Sequence, residues 1–206
     1  MVIIKLGEKI EDLRKKNKWI ILIAIIVIAV SLIGNLLLWT QLRDYQDKNE
    51  FLMEKNYTAF FNDLEVYNNR LDYIVNYEGS PSEIEREVIS LQKDVESLIN
   101  HAESYGLGNT GEEDVLASVI WEIAMSAQWM LLEQFLQADE LELVENLDKI
   151  NENEIREFST VISEIIILEN RAMEEYNNSS KRFSHQEMAD LLRPKAVEAS
   201  KLTFLK

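Results

Sequence analysis

Residues 19–39 read WIILIAIIVIAVSLIGNLLLW, 21 residues without a charge in which only Ser31, Gly34 and Asn35 interrupt the apolar run. At a helical rise of ~1.5 Å per residue the stretch spans ~31 Å, about the thickness of a bilayer's hydrocarbon core. Trp19 and Trp39 bound it where an interfacial aromatic belt would stand, and Lys5, Lys9, Arg14, Lys15, Lys16 and Lys18 all precede it. A basic flank stays inside, so the expectation is an uncleaved signal anchor with residues 1–18 in the cytoplasm and the remainder extracellular. Trp19, Trp39, Lys15, Lys16 and Lys18 are then the membrane-interface residues. A cleaved signal peptide would have an apolar region of roughly 7–15 residues followed by small ones. Here the run continues through Leu36, Leu37 and Leu38 into Thr40 and Gln41.

Charge divides on the two sides of this stretch. Residues 44–206 carry 34 acidic and 14 basic side chains, a net of −20, while residues 1–43 carry a net of +4. So acidic a domain lacks the clustered Lys and Arg that phosphate binding needs, which excludes nucleic acid as the expected partner. The chain has no cysteine, so neither a disulfide nor a thiolate metal site can form. Stability from packing alone suits a bacterial cell surface, and the abundance of Ile, Asn, Glu and Lys is the composition expected of an AT-rich bacterium.

Turns are scarce, with 6 glycines and 2 prolines in 206 residues, so helix limits can be placed one by one. Met53, Tyr57, Phe60, Leu64, Tyr67, Leu71 and Ile74 alternate steps of four and three, one apolar stripe along a helix. Nothing between Thr40 and Leu52 stops a helix, so residues 40–52 are expected as a helical stalk continuous with the anchor. Ser80-Pro81-Ser82-Glu83 restarts a helix with a capping serine, a first-turn proline and a capping-box glutamate. Its stripe is Ile84, Val88, Leu91, Val95, Leu98, Ala102 and Tyr105.

After the glycine-rich stretch at 106–111, Thr110 with Glu113 offers a second capping box. The helix it opens has one stripe through Leu116, Ile120, Ile123, Ala127 and Met130 and another through Trp121, Met125, Trp129, Leu132 and Leu136. Two apolar faces predict a central position. Residues 139–150 read as a short extra helix. Asn151 with Glu154 caps a helix whose stripe includes Ile155, Phe158, Ile162 and Ile165. The segments 53–77, 81–105, 112–137 and 152–178 have similar lengths and short connections, which predicts an all-α fold with an antiparallel four-helix bundle over 53–180. The runner-up is a helical hairpin completed by a homodimer, since heptad stripes pair between chains as readily as within one.

Residues 181–206 reverse the charge: Lys181, Arg182, Arg193, Lys195, Lys201 and Lys206 stand against Glu187, Asp190 and Glu198, a net of +3, where residues 44–180 carry −23. The expectation is a basic amphipathic tail, its helix capped by Ser184 and Glu187, carrying Met188, Leu191 and Leu192 and either kinked or restarted at Pro194. Lys181, Arg182, Arg193, Lys195 and Lys201 are its candidate contacts to membrane or partner, and the segment either lies on anionic lipid headgroups or folds back on the acidic bundle or on a partner.

Catalytic signatures are absent. A di-iron bundle needs paired Glu-x-x-His motifs, but Leu98 precedes His101 by three and Arg182 precedes His185 by three. The glycines at 106–111 lack the lysine and spacing of a phosphate-binding loop, and two histidines with no nucleophile elbow argue no hydrolase. No cofactor, metal or enzymatic role is expected. Such a bundle mainly offers surface, so the expected function is an anchored helical interaction or scaffold module binding another membrane or envelope protein. The alternative is a sensor-like bundle with a ligand between its helices that signals through a partner. In architecture alone this resembles the periplasmic four-helix domains of bacterial chemoreceptors.

Overall fold

The stripe that begins at Met53 marks where the first helix joins a core. The computed structural model describes residues 2–77, 80–107, 115–135, 150–179 and 183–203. Among them every element is a helix: α1 (Val2–Asn76), α2 (Pro81–Leu107), α3 (Val115–Phe135), α4 (Glu152–Ser179) and α5 (His185–Thr203). The chain divides into two compact units, Met1–Asn49 and Glu50–Lys206. In the first, α1 carries the apolar stretch, and none of its 18-residue apolar window is buried. No break in α1 falls between 40 and 52.

The second unit has one core. From α1 it takes Phe60, Leu64, Tyr67 and Leu71, from α2 Val88, Leu91, Val95 and Leu98, from α3 Ile120, Ile123, Ala127 and Met130, and from α4 Ile155, Phe158, Ile162 and Ile165. These are the four expected stripes. The four-helix count is corrected to five, because α5 adds Met188, Ala189, Leu192, Ala196 and Ala199 to the same core. Of the placements expected for the segment 181–206, lipid, partner or bundle, α5 takes the bundle, and most of its apolar face is used inside the protein. The reason lies in side-chain size. Ala189, Ala196, Ala199 and Ser200 let the α5 backbone come close to its neighbours, and the closest helix pairings are α3 with α5, α2 with α3, and α4 with α5. α1 reaches the others through long side chains instead. α5 also continues through Pro194. Proline frees the carbonyl of Asp190, but Asp190 and Pro194 are exposed, so water can satisfy it.

Helix ends follow the sequence where they are described. Ser80 donates its N–H (3.3 Å) and its hydroxyl (2.8 Å) to the Glu83 carboxylate. The Tyr77 hydroxyl and Ser80 hold that carboxyl below its ordinary range. The Glu154 N–H donates to Asn151 Oδ1 at 3.4 Å. Ser184 and Glu187 form the reciprocal capping box, Ser184 N–H to the carboxylate at 2.8 Å and Glu187 N–H to the hydroxyl at 3.1 Å. At the end of α1, Arg156 of α4 donates to Asn76 Oδ1 at 2.8 Å and to the Val75 carbonyl at 3.3 Å, serving a helix terminus that has no partners of its own. The Thr110–Glu113 box and the short helix expected over 139–150 fall outside the described residues, apart from Ile150, which is not helical.

Candidate functional site

Two features of the second unit exceed what packing requires. The first is on α3, where small and branched residues turn inward and leave the other stripe outside. Leu116, Ile120, Ile123, Ala127 and Met130 are buried, whereas Trp121 and Trp129 are each 42% exposed, Leu132 is exposed and Met125 is half-buried. Steps of four, four and three put these on one face. The second stripe was expected to need a cover, and α2 and α5 pack on α3 without supplying a complete one. A surface row with two tryptophans is the composition of a binding surface more than of a solvated one.

The second feature is a buried polar group among aromatic rings. Glu169 of α4 is only 7% exposed. Burial pushes its carboxyl above the ordinary carboxylate range, and the hydroxyl of Tyr57 on α1 draws it part-way back. Burial and the facing Glu169 in turn push the Tyr57 hydroxyl well up, and that oxygen completes no well-formed hydrogen bond. Tyr57 lies 4.8 Å from the ring of Phe61 and 6.0 Å from Tyr105 of α2, and Tyr105 is 6.3 Å from the His185 ring of α5. α1, α2 and α5 thus contribute a row of neighbouring rings, and Tyr57 at its α1 end is the one that meets the Glu169 carboxyl of α4. Proton binding and release are the only chemistry such a group offers unaided.

Other polar contacts hold helices together. The Tyr67 hydroxyl donates to the Ala127 carbonyl at 3.1 Å across the core. Asn68 donates to Ser163 at 2.9 Å. Arg70 meets Asp94 at 2.6 Å and Glu87 more closely still. Asp63 accepts from Ser97 at 2.5 Å and lies 3.4 Å from His101. That trio is not a nucleophile relay, because serine donates to the acid and not to the histidine. Among the described residues no group of three or more His, Asp or Glu side chains converges as a metal site. An open groove of about 340 Å³ lies over Val66, Arg70, Tyr73 and Glu87 on the α1–α2 surface.

The expected site residues are placed unevenly. Lys18, Trp19 and Trp39 lie exposed on α1. Lys15 and Lys16 belong to the same helix. Lys181 and Arg182 fall outside the described residues. Arg193 and Lys201 are exposed on α5. Lys195 does not offer a free charge, since it pairs with Glu164 of α4 at 2.5 Å and Glu198 at 2.6 Å, contacts that raise its pKa. Sequence reasoning missed Glu169, which stands among 34 acids with nothing in its neighbours to mark it; only its place on the inner face of α4, seven residues after Ile162, could have signalled burial.

No protein family, no curated protein and no solved structure matches this chain. Its function must therefore be argued from the residues themselves.

Proposed function

We propose that this chain is a membrane-anchored helical interaction module of a bacterial envelope, with the second unit outside the membrane and its α3 face binding another membrane or envelope protein. The observation that carries the proposal is the row of exposed Trp121, Trp129 and Leu132 with half-buried Met125, an apolar helix face left on the surface while the Leu116–Met130 stripe of the same helix is buried. Helix-face recognition uses anchors at such spacing, and tryptophan is among the side chains that concentrate binding energy. The anchor rests on the uncharged 21-residue stretch and the six basic residues before it. Site-specific photocrosslinking tests the face. A crosslinker at position 121 should give one discrete adduct that a crosslinker at the exposed Gln92 does not, and the adduct should vanish in a Trp129→Ser chain. Equal labelling from both positions would reject the α3 face. Protease added to spheroplasts should remove residues 44–206; their protection would reject the orientation.

The second reading, a bundle that senses a small molecule, draws on the Tyr57–Glu169 pair. A polar ligand seated there would complete the hydrogen bonding of the Tyr57 hydroxyl and raise the unfolding temperature of the second unit. An unchanged melting curve across a library of small envelope solutes removes this reading.

A further inference from the structure

The first unit carries a second stripe that belongs to no core. Extending the core stripe backward from Met53 by its own steps gives Glu50, Gln46 and Arg43, so the core pattern ends there. One residue away, ~100° around the helix, Asn35, Leu38, Leu42, Tyr45 and Asn49 take steps of three, four, three and four. In heptad terms these are positions a, d, a, d and a. Leu38, Leu42 and Tyr45 are each more than half exposed, at 65%, 56% and 62%, and Asn35 is exposed too.

Charge is sorted around this stripe. Of the four charged residues between Thr40 and Asn49, Arg43, Asp44 and Asp47 fall at the outward positions b, c and f, and Lys48 alone falls at a flank. In a parallel pair of identical chains each residue meets its own kind, so a charged seam would repel itself. This seam holds leucines, a tyrosine and asparagines, with Gln41 of one copy facing Gln46 of the other across the flanks. Asparagine at an a position favours a two-stranded, in-register pair at some cost in stability, and here it occurs at Asn35 and Asn49. Arg43, at outward position b, sits 5.7 Å from the ring of Trp39 at flank position e.

We propose that residues 35–49 form a parallel two-stranded coiled coil with a second copy of this chain. The occupant is a second copy because only an identical chain has this charge sorting and asparagine spacing in register. The parallel alignment rests on the anchored reading above, since two chains inserted the same way present their α1 helices side by side.

The chain's lack of cysteine makes the test direct. Single-cysteine variants of the full chain, Leu38→Cys, Leu42→Cys and Tyr45→Cys at the seam and Thr40→Cys, Arg43→Cys and Asp47→Cys outside it, are treated in membranes with a short bismaleimide. With helix axes ~8–10 Å apart, seam positions should give dimers at least about tenfold faster than outward ones. A Leu42→Asp substitution added to Tyr45→Cys should abolish that advantage. Equal rates at all six positions, or no dimer at the seam, would overturn the proposal. Carbonate extraction of the same membranes scores the anchor separately. Flat crosslinking of a chain that resists extraction condemns the coil alone, while seam-specific crosslinking of an extractable chain keeps the coil and removes the anchor.

Discussion

Among the described residues two helices are, by length and composition, apolar enough to cross a membrane, and they differ in burial. The apolar window of α1 has none of its residues buried, while that of α3 is 50% buried. The difference is in pattern. Residues 19–33 are apolar on every side but for Ser31, so no single face there is singled out for packing. In α3, Glu122, Gln128, Glu133 and Gln134 interrupt the apolar surface, and Ala124, Ser126 and Ala127 are small enough to let neighbours approach its inner side. A helix apolar all round asks for an apolar solvent, whereas one with small residues on a face asks for another helix.

The strongest way to break this comparison is to place charge in both helices. Ile25→Arg with Ile28→Arg should release the chain from carbonate-washed membranes, each arginine costing about 2.5–3.5 kcal/mol on an insertion scale. Ile120→Arg, at a fully buried α3 position, should unfold the second unit to proteases yet leave the chain membrane-bound. The opposite pairing of outcomes would invert the assignment. Truncation is the next largest effect. Ile123→Ala should cost about 2–5 kcal/mol in denaturant unfolding, and Ile28→Ala should leave the unfolding of the second unit unchanged. A smaller effect probes what covers α3: Ala196→Leu inserts bulk into a fully buried α5 position and should destabilise by about 1–3 kcal/mol. A neutral result would mean that α5 docks loosely.

The smallest effect asks how dry the core is. Burial lifts the Glu169 carboxyl in the folded chain above its unfolded value. The folded state then binds that proton more tightly, so the contribution is full below the unfolded pKa and is lost as pH rises through the lifted one. The stability of the second unit should decline over that window above the ordinary carboxylate range. Glu169→Gln should flatten the decline and match or exceed the parent in stability near pH 7. An unaltered slope in the variant would assign the pH dependence to other groups.

Much of the helical order was legible because leucine, isoleucine and aromatic residues at helical steps state their face plainly. Met53 to Ile74 and Ile84 to Tyr105 are examples, and Ser80-Pro81 and Asn151 with Glu154 place their caps. The fate of α5 was legible only as one of several placements. Its inward row is largely Met188, Leu192, Ala196 and Ala199, and alanine is too weakly apolar to announce a core, although its small size is what admits a fifth helix. The α3 face failed in the other direction. Trp121 and Trp129 have the hydrophobicity of core residues, and only the packing of α2 and α5 decides that they stay outside. Glu169 was illegible because its partner, Tyr57, stands on another helix more than a hundred residues away and no short stretch of sequence contains both.

Gln134 has a consequence for amide exchange. Its side-chain oxygen accepts the Asn151 N–H at 3.1 Å and its amide donates to Glu154 at 2.9 Å, so the end of α3 and the beginning of α4 are stitched at one point. A Gln134→Ala chain would lose both bonds at once, so the Asn151 amide should exchange with solvent faster than in the parent while amides in the middle of α4 keep their rates.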